Sequence, residues 1–113
     1  MTDLQTAARE ALLALIRLGF ASAEVIEVVL LEAASQGADR RALLQLLSSL
    51  LRDLELGLPD DQENLLDNIW AHLLGQCSVA DIIRLPGDPE NLDEFARHVY
   101  EQTRDWSREL GGT

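Results

Sequence analysis

The sequence contains no lysine, one cysteine, three prolines and only five aromatic residues among its 113 positions. Its nine cationic side chains are therefore all arginines, and against 20 aspartates and glutamates they leave a formal net charge of -11. Proteins that bind nucleic acid draw their affinity from clustered lysine and arginine, and they stack single-stranded bases on aromatic rings. The composition predicts that the chain does not bind nucleic acid directly, and that any partner is attracted to negative charge.

Cysteine usage and the lack of long apolar runs give an expectation about the compartment. The single cysteine, Cys77, cannot form an internal disulfide, which fits a reducing compartment. No segment reaches the roughly 18 consecutive apolar residues of a membrane-spanning helix. The first apolar run follows Asp3 and Glu10 and is interrupted by Arg17, unlike the run of a signal peptide. We expect a cytoplasmic protein that does not interact with a membrane.

Leucine is the residue that the chain has in excess. It occurs 23 times in a sequence that is 47% hydrophobic, and 113 residues suffice for one domain with its own core. The longer apolar segments have a period near 3.6 residues or are apolar all round, and none alternates as a strand does. We predict an all-α fold, a compact bundle of about five helices plus one short helix, in a single domain over residues 1–113.

Residues that cap helices punctuate the sequence. Thr2 with Gln5 and Asn91 with Glu94 have the spacing of capping boxes, and glycines follow the apolar runs. The predicted helices cover residues of about 3–18, 22–37, 40–56, 59–75 and 91–110, with one or two further turns between 78 and 84. The loop at 85–89 contains two prolines and is too short to join separate domains.

Two kinds of helix emerge when the residues are placed at 100° steps. The third and the last helices each have one apolar and one polar face. We assign Trp70 of the fourth helix and Trp106 of the last to the core. The first two helices are less regular, because Leu13, Val28 and Leu31 fall among charged and polar residues. Either other helices cover these three side chains, or they form an apolar patch for a partner.

Acidic residues concentrate in the second half of the chain. Residues 58–113 hold 12 acids and four arginines, a local charge of -8. Two groups stand at or near predicted helix starts: Asp60, Asp61, Glu63 and Asp67, then Asp88, Glu90, Asp93 and Glu94. The unpaired N–H groups and the dipole of a helix favour carboxylates at its start, so capping is a better interpretation than a cation site. Both groups still present negative charge to a basic partner.

No set of residues forms a catalytic or metal-binding pattern. His72, Cys77 and Asp81 come nearest to a metal site, but no C-x-x-C, H-x-x-x-H or E-x-x-H spacing occurs. Cys77 precedes a short helix and is the one candidate nucleophile, without a companion set of residues. His98 lies one turn after Glu94, as in a surface ion pair. Since glycine-rich phosphate loops are also missing, we expect no catalytic, metal or cofactor site and no enzyme.

Two hypotheses about function follow. The first is a small acidic, non-enzymatic protein-binding module, such as an inhibitor, an immunity protein or an adaptor, that acts on a basic protein partner. The second is a homo-oligomeric structural subunit, expected as a homodimer, that assembles through the leucine-rich first and second helices. The apolar residues are expected between subunits and the acidic residues against the basic partner. The expected partner-binding residues are Leu13, Val28, Leu31, Asp60, Asp61, Glu63 and Asp67.

Overall fold

Helices make up the regular structure of the chain wherever the computed structural model describes it, which is at residues 2–19, 22–54, 60–75, 78–104 and 106. In chain order the elements are α1 (Asp3–Leu18), α2 (Ala23–Ser35), α3 (Arg40–Leu54), α4 (Asp60–Leu74), a 3-10 helix (Val79–Asp81) and α5 (Leu92–Thr103). The predicted all-α bundle is confirmed. None of the helices within these ranges is long and apolar enough to cross a membrane.

The starts of the helices follow from hydrogen bonds made by capping side chains. At α1 the predicted capping box is formed, because the Gln5 N–H donates to Thr2 Oγ1 at 3.2 Å and the Thr2 N–H donates to Gln5 Oε1 at 2.8 Å. Three later helices, α2, α3 and α5, begin in a similar way, with a side-chain oxygen that accepts from a backbone N–H of the first turn. These oxygens belong to Ser22, Asp39 and Asn91. Capping therefore explains why the predicted helix starts are correct.

Polar side chains join α1 to α3. Gln5 Nε2 donates to Gln45 Oε1, and Arg9 Nε donates to Ser49 Oγ, each at 3.0 Å. Both bonds join residues that are 40 positions apart, and this constant offset shows that the two helices run in the same direction. Part of the polar face predicted for the third helix therefore contacts α1.

The main core is built from aliphatic side chains of the first four helices. Its fully buried large members are Leu12, Ile26, Leu30, Leu43, Leu44, Leu46, Leu47, Leu50, Leu66, Ile69 and Leu73. Each such side chain stabilises the fold by about 1.5–3 kcal/mol relative to an exposed one. Trp70 and Trp106 are half-buried and pack against this cluster, as predicted.

α5 contributes Phe95 and Val99 to a second, smaller cluster, whose third member is Ile82. It also approaches α4 closely at Gly75, the buried residue after the last turn of that helix. A Cβ atom on Gly75 would lie only 2.9 Å from Val99 Cγ1, and the residue has a left-handed φ of 89°. Both the space and the backbone conformation at this contact therefore require glycine.

The predicted C-terminal helix is described in part. α5 covers Leu92–Thr103, and Trp106 is also helical. The Thr103 hydroxyl donates to the Val99 carbonyl oxygen at 2.9 Å. The predicted short helix between 78 and 84 is a single 3-10 turn. Residues 105 and 107–113, which include most of the remaining predicted span, lie outside the described residues, as do 55–59 at the predicted end of the third helix.

Candidate functional site

The outward face of α2 carries two exposed apolar side chains. Val28 is 62% exposed and Leu31 is 37% exposed. They form a single row with Glu24 and Ser35, because steps of three and four residues return to one side of an α-helix. We call these four residues the α2 row. The opposite side of the helix fills the core through Ile26, Leu30, Ala33 and Ala34.

Negative charge surrounds the α2 row. Glu24 is part of the row, Glu27 lies half-buried on one side of it, and Glu32 lies exposed on the other. The sequence of α2 contains these three glutamates and no arginine. The ion pairs found within the described ranges involve Arg9, Arg40 and His98 and none of these glutamates. The α2 row is therefore an apolar strip in a negative field, without a cation on its own helix.

Leu13 is half-buried and packs against the main core. It lies four residues beyond Arg9, which itself lies four beyond Gln5, so the three share the side of α1 that faces α3. Of the polar residues near Leu13, Arg9 thus belongs to a helix contact, whereas Thr6, Glu10 and Arg17 are exposed. Of the two explanations left open by the sequence, coverage by another helix describes Leu13, whereas Val28 and Leu31 are exposed to solvent.

The predicted acidic residues lie on a different element. Asp67 is exposed on α4. Asp60 and Asp61 are the first two residues of α4 and Glu63 follows in its first turn, while their side chains lie outside the described part of the molecule. The structure thus brings Val28 and Leu31 together on α2, places Leu13 at the contact between α1 and α3, and distributes the acidic residues along α4.

A buried arginine on the apolar face of α3 ties three segments together. Arg40 is 2% exposed, and its guanidinium donates to the carbonyl oxygens of Leu73 and Ile83 at 2.8 and 3.0 Å. It also donates to Asp88 Oδ2 at 2.7 Å, whereas its buried Nε has no hydrogen-bond partner among the described residues. Desolvation by burial lowers the pKa of Arg40, and the nearby Asp88 carboxylate opposes this shift. The guanidinium holds the end of α4, the segment after the 3-10 helix and the loop before α5 in one place.

The interpretation of Asp88 as a helix-capping residue is wrong. Its side chain is only 10% exposed, and Oδ2 accepts from the Leu85 N–H at 2.8 Å as well as from Arg40. Its Oδ1 lies 3.8 Å from His98 Nε2, so the ionic partner available to a protonated His98 is Asp88 and not the predicted Glu94. Arg40 is 48 positions away from Asp88 in sequence, which is why the local pattern did not reveal the pair.

Other arginines are also engaged within the fold. The guanidinium carbon of Arg41 lies 5.6 Å from the ring centroid of Trp106, and that of Arg84 lies 4.4 Å from the ring centroid of Phe95. Such contacts hold part of the arginine side chain against apolar surface. Arg40 is buried and Arg9 and Arg41 are half-buried, whereas Arg17, Arg52, Arg84, Arg97 and Arg104 are exposed.

The described residues include no group of three or more His, Cys, Asp or Glu side chains that could hold a metal ion. His72 is half-buried on α4, and Asp81 is exposed at the end of the 3-10 helix. Cys77, the third member of the nearest candidate set in the sequence, lies outside the described residues. Exposed side chains among the described residues include apolar and carboxylate groups.

Comparison with known proteins supplies no relative. No protein-family model matches the chain, and no curated protein or solved structure matches it significantly.

Proposed function

We propose that the protein is a small acidic, non-enzymatic binding module that acts on a basic protein partner, as an inhibitor, an immunity protein or an adaptor does. The observation that carries the proposal is the placement of charge. On α2, the exposed Glu24 and Glu32 lie beside an apolar strip, and the helix carries no arginine that could offset their charge.

The placement of charge matters because the electrostatic field of the protein acts on a partner at long range, whereas an apolar contact acts only at short range. With a formal net charge of -11, the molecule attracts basic proteins and accelerates their encounter with it. The buried pair of Arg40 and Asp88 is neutral overall, so the other residues carry the whole net charge. The exposed side chains of Val28 and Leu31 can then supply the desolvated contact that a field alone does not provide.

Capture from the cells that produce the protein tests this proposal. The immobilised chain is incubated with lysate at an ionic strength of about 0.1 M, where the screening length is about 10 Å. We expect retention of one or a few basic proteins that are released as salt is raised, and their identities are read by mass spectrometry. Retention of acidic or neutral proteins in a salt-independent manner, or of nothing, contradicts the proposal.

Self-assembly is the second candidate, since Val28 and Leu31 are exposed apolar residues on one helix face. Sedimentation at increasing protein concentration distinguishes the two. A dimer that persists at all concentrations favours the structural subunit, and a monomer that binds a basic protein favours the binding module. The single cysteine supports cytoplasmic placement for either function, and fractionation of the source cell tests it.

A further inference from the structure

The α2 row has the length and shape of a helix-binding strip. From Glu24 to Ser35 it runs the full exposed length of α2, about 16 Å at 1.5 Å per residue. Its apolar part is narrow, because Val28 and Leu31 stand between glutamates and not beside other exposed leucines of the same helix. A strip of this kind fits one face of a helix better than a broad globular surface.

The charges of α2 restrict what can cover the strip. Glu24, Glu27 and Glu32 stand in or beside the row, and the helix carries no basic residue. A covering segment brings its own flanking side chains within a few ångströms of these carboxylates. Cationic flanks are attracted there, whereas acidic flanks are repelled.

A second copy of the chain is a poor occupant for the same reason. When α2 packs on α2 of another molecule in either direction, glutamates face glutamates along both edges of the contact. The two apolar side chains are also few for an interface that in stable complexes buries roughly 800 Å² per partner. Leu13 does not enlarge the strip, since it packs against the core at the contact of α1 with α3.

We infer that the α2 row binds a cationic amphipathic helix of the basic partner. Apolar side chains of that helix pack on Val28 and Leu31, and its arginines or lysines pair with Glu24, Glu27 and Glu32. This inference rests on the proposed function and names both the surface and the kind of partner segment. It differs from steering by net charge, because it requires apolar and charged groups in register on one helix.

Synthetic peptides of about four helical turns provide the probe. The first has leucines at positions i, i+3, i+4 and i+7 with arginines along both flanks. The second has the same composition with the leucines scattered around the helix, and the third has glutamates in place of the arginines. Each is titrated into isotope-labelled protein at about 0.1 M salt, and binding is followed by backbone amide shifts and calorimetry.

Matched variants separate the α2 row from the rest of the surface. Val28→Gln with Leu31→Gln removes the apolar strip without a change in charge, and Leu18→Gln is the control, because Leu18 is 67% exposed on α1. Glu24→Gln with Glu32→Gln removes two flanking charges, and Glu90→Gln with Glu101→Gln removes two exposed charges elsewhere. Circular dichroism verifies the fold of each variant, and Val28→Ala with Leu31→Ala replaces the glutamine pair if that pair unfolds.

We expect the first peptide to bind, with shifts centred on α2. The scattered and acidic peptides should bind at least about tenfold more weakly. The double substitution of Val28 and Leu31 should lower the affinity for the first peptide about tenfold or more. The double substitution of Glu24 and Glu32 should lower it about threefold to tenfold, while both control variants should stay within about twofold of the parent.

Four results overturn the inference. The first three are equal binding of the striped and scattered peptides, shifts that fall away from α2, and a concentration-dependent dimer that the double substitution of Val28 and Leu31 abolishes. In the first two cases the proposed function survives if basic proteins are still captured from lysate in a salt-dependent way. If neither cationic peptide binds, the inference is also overturned, and the lysate capture then tests the proposed function separately.

Discussion

Arg40 ties together segments that are distant in sequence, and the sequence pattern does not reveal its partners. It lies three and four residues before Leu43 and Leu44, so helical periodicity places it on the buried face of α3, but periodicity does not say which groups pair with it. Its role depends on three acceptors that come from residues 73, 83 and 88. Such long-range partners are set by the packing of α3 against α4 and the following loop, which single-sequence patterns do not encode.

Replacement of Arg40 by methionine should therefore destabilise the protein by about 3–5 kcal/mol, because it leaves the Asp88 carboxylate buried without its cation. Asp88→Asn should also destabilise, and the loss in the double variant should be well below the sum of the two single losses. Urea denaturation of the four proteins measures this coupling. Arg97→Met, at an exposed position of α5, is the control and should change stability by no more than about 0.5 kcal/mol. Additive losses would show that the two side chains act independently.

Gly75 and Gly19 form a matched pair for a second test at the residue scale. Both have left-handed φ angles, 89° and 78°, but a Cβ would meet Val99 at Gly75 and nothing within 4 Å at Gly19. Gly19→Ala should cost about 1–2 kcal/mol for the backbone alone. Gly75→Ala should cost a further 1–3 kcal/mol, roughly, because the methyl group overpacks the contact of α4 with α5.

Chemical denaturation of both glycine variants gives the comparison, and Val99→Ala combined with Gly75→Ala provides the internal control. Removal of the Val99 side chain clears the nearest atom, so the cost of Gly75→Ala should be smaller in that background. Equal losses of stability for Gly19→Ala and Gly75→Ala would mean that α5 shifts to accommodate the methyl group without a cost in free energy.

At the scale of elements, helix starts were predictable and helix pairings were not. Capping residues such as Thr2 and Asn91 act within three positions of their targets, so their signal is local and survives in the sequence. The parallel contact of α1 with α3 depends on Gln5 and Gln45, which look like solvent-facing residues on both helices. A polar pair between helices is made of the same residue types as a solvent-exposed surface, so only the tertiary arrangement distinguishes the two.

The contact of α1 with α3 predicts different roles for two leucines of the same helix. Leu13 is half-buried against the core and Leu18 is 67% exposed. Leu13→Gln should destabilise by about 1–3 kcal/mol, since it removes apolar burial and places an amide against the core. Leu18→Gln should stay within about 0.5 kcal/mol of the parent.

Thermal and urea unfolding of the two leucine variants, followed by sedimentation of each, completes the comparison. If Leu13→Gln leaves stability unchanged but alters a dimer, Leu13 belongs to an interface between subunits as the sequence suggested. A loss of stability in a protein that is monomeric throughout assigns it to the interior of one chain.

At the scale of the whole molecule, the sequence predicted the net charge but not where the charged groups lie. Composition alone gives a net charge of -11. The structure adds that Arg40 is buried in a pair with Asp88, and that α2 exposes Glu24 and Glu32 without an arginine on the same helix. Val28 and Leu31 were predictable as an apolar patch because helical periodicity places them opposite the buried residues. The partial burial of Leu13 was not predictable, because it depends on the packing of α1 against α3, which periodicity does not show.

The net charge makes a prediction that depends on no single contact. Neutralisation of Asp60, Asp61, Glu63 and Asp67 to asparagine or glutamine should slow association with a basic partner by about threefold to tenfold at low ionic strength and reduce its dependence on salt. Dissociation should change much less, because steering acts on the encounter. α4 should also lose some stability, since Asp60 and Asp61 stand at its positive N-terminal end. Melting of each variant therefore accompanies the rate measurements.

The four single variants decide whether the field or one residue is responsible. Under field steering, each single neutralisation slows association slightly, and the logarithm of the rate falls in proportion to the charge removed. Stopped-flow association at several salt concentrations measures this directly, with the partner taken from the lysate capture. If one variant, such as Asp67→Asn on exposed α4, reproduces the whole effect, that side chain makes a specific contact. If the fourfold variant associates as fast as the parent at every salt concentration, the acidic surface serves only to keep the protein in solution, and recognition rests on α2 alone.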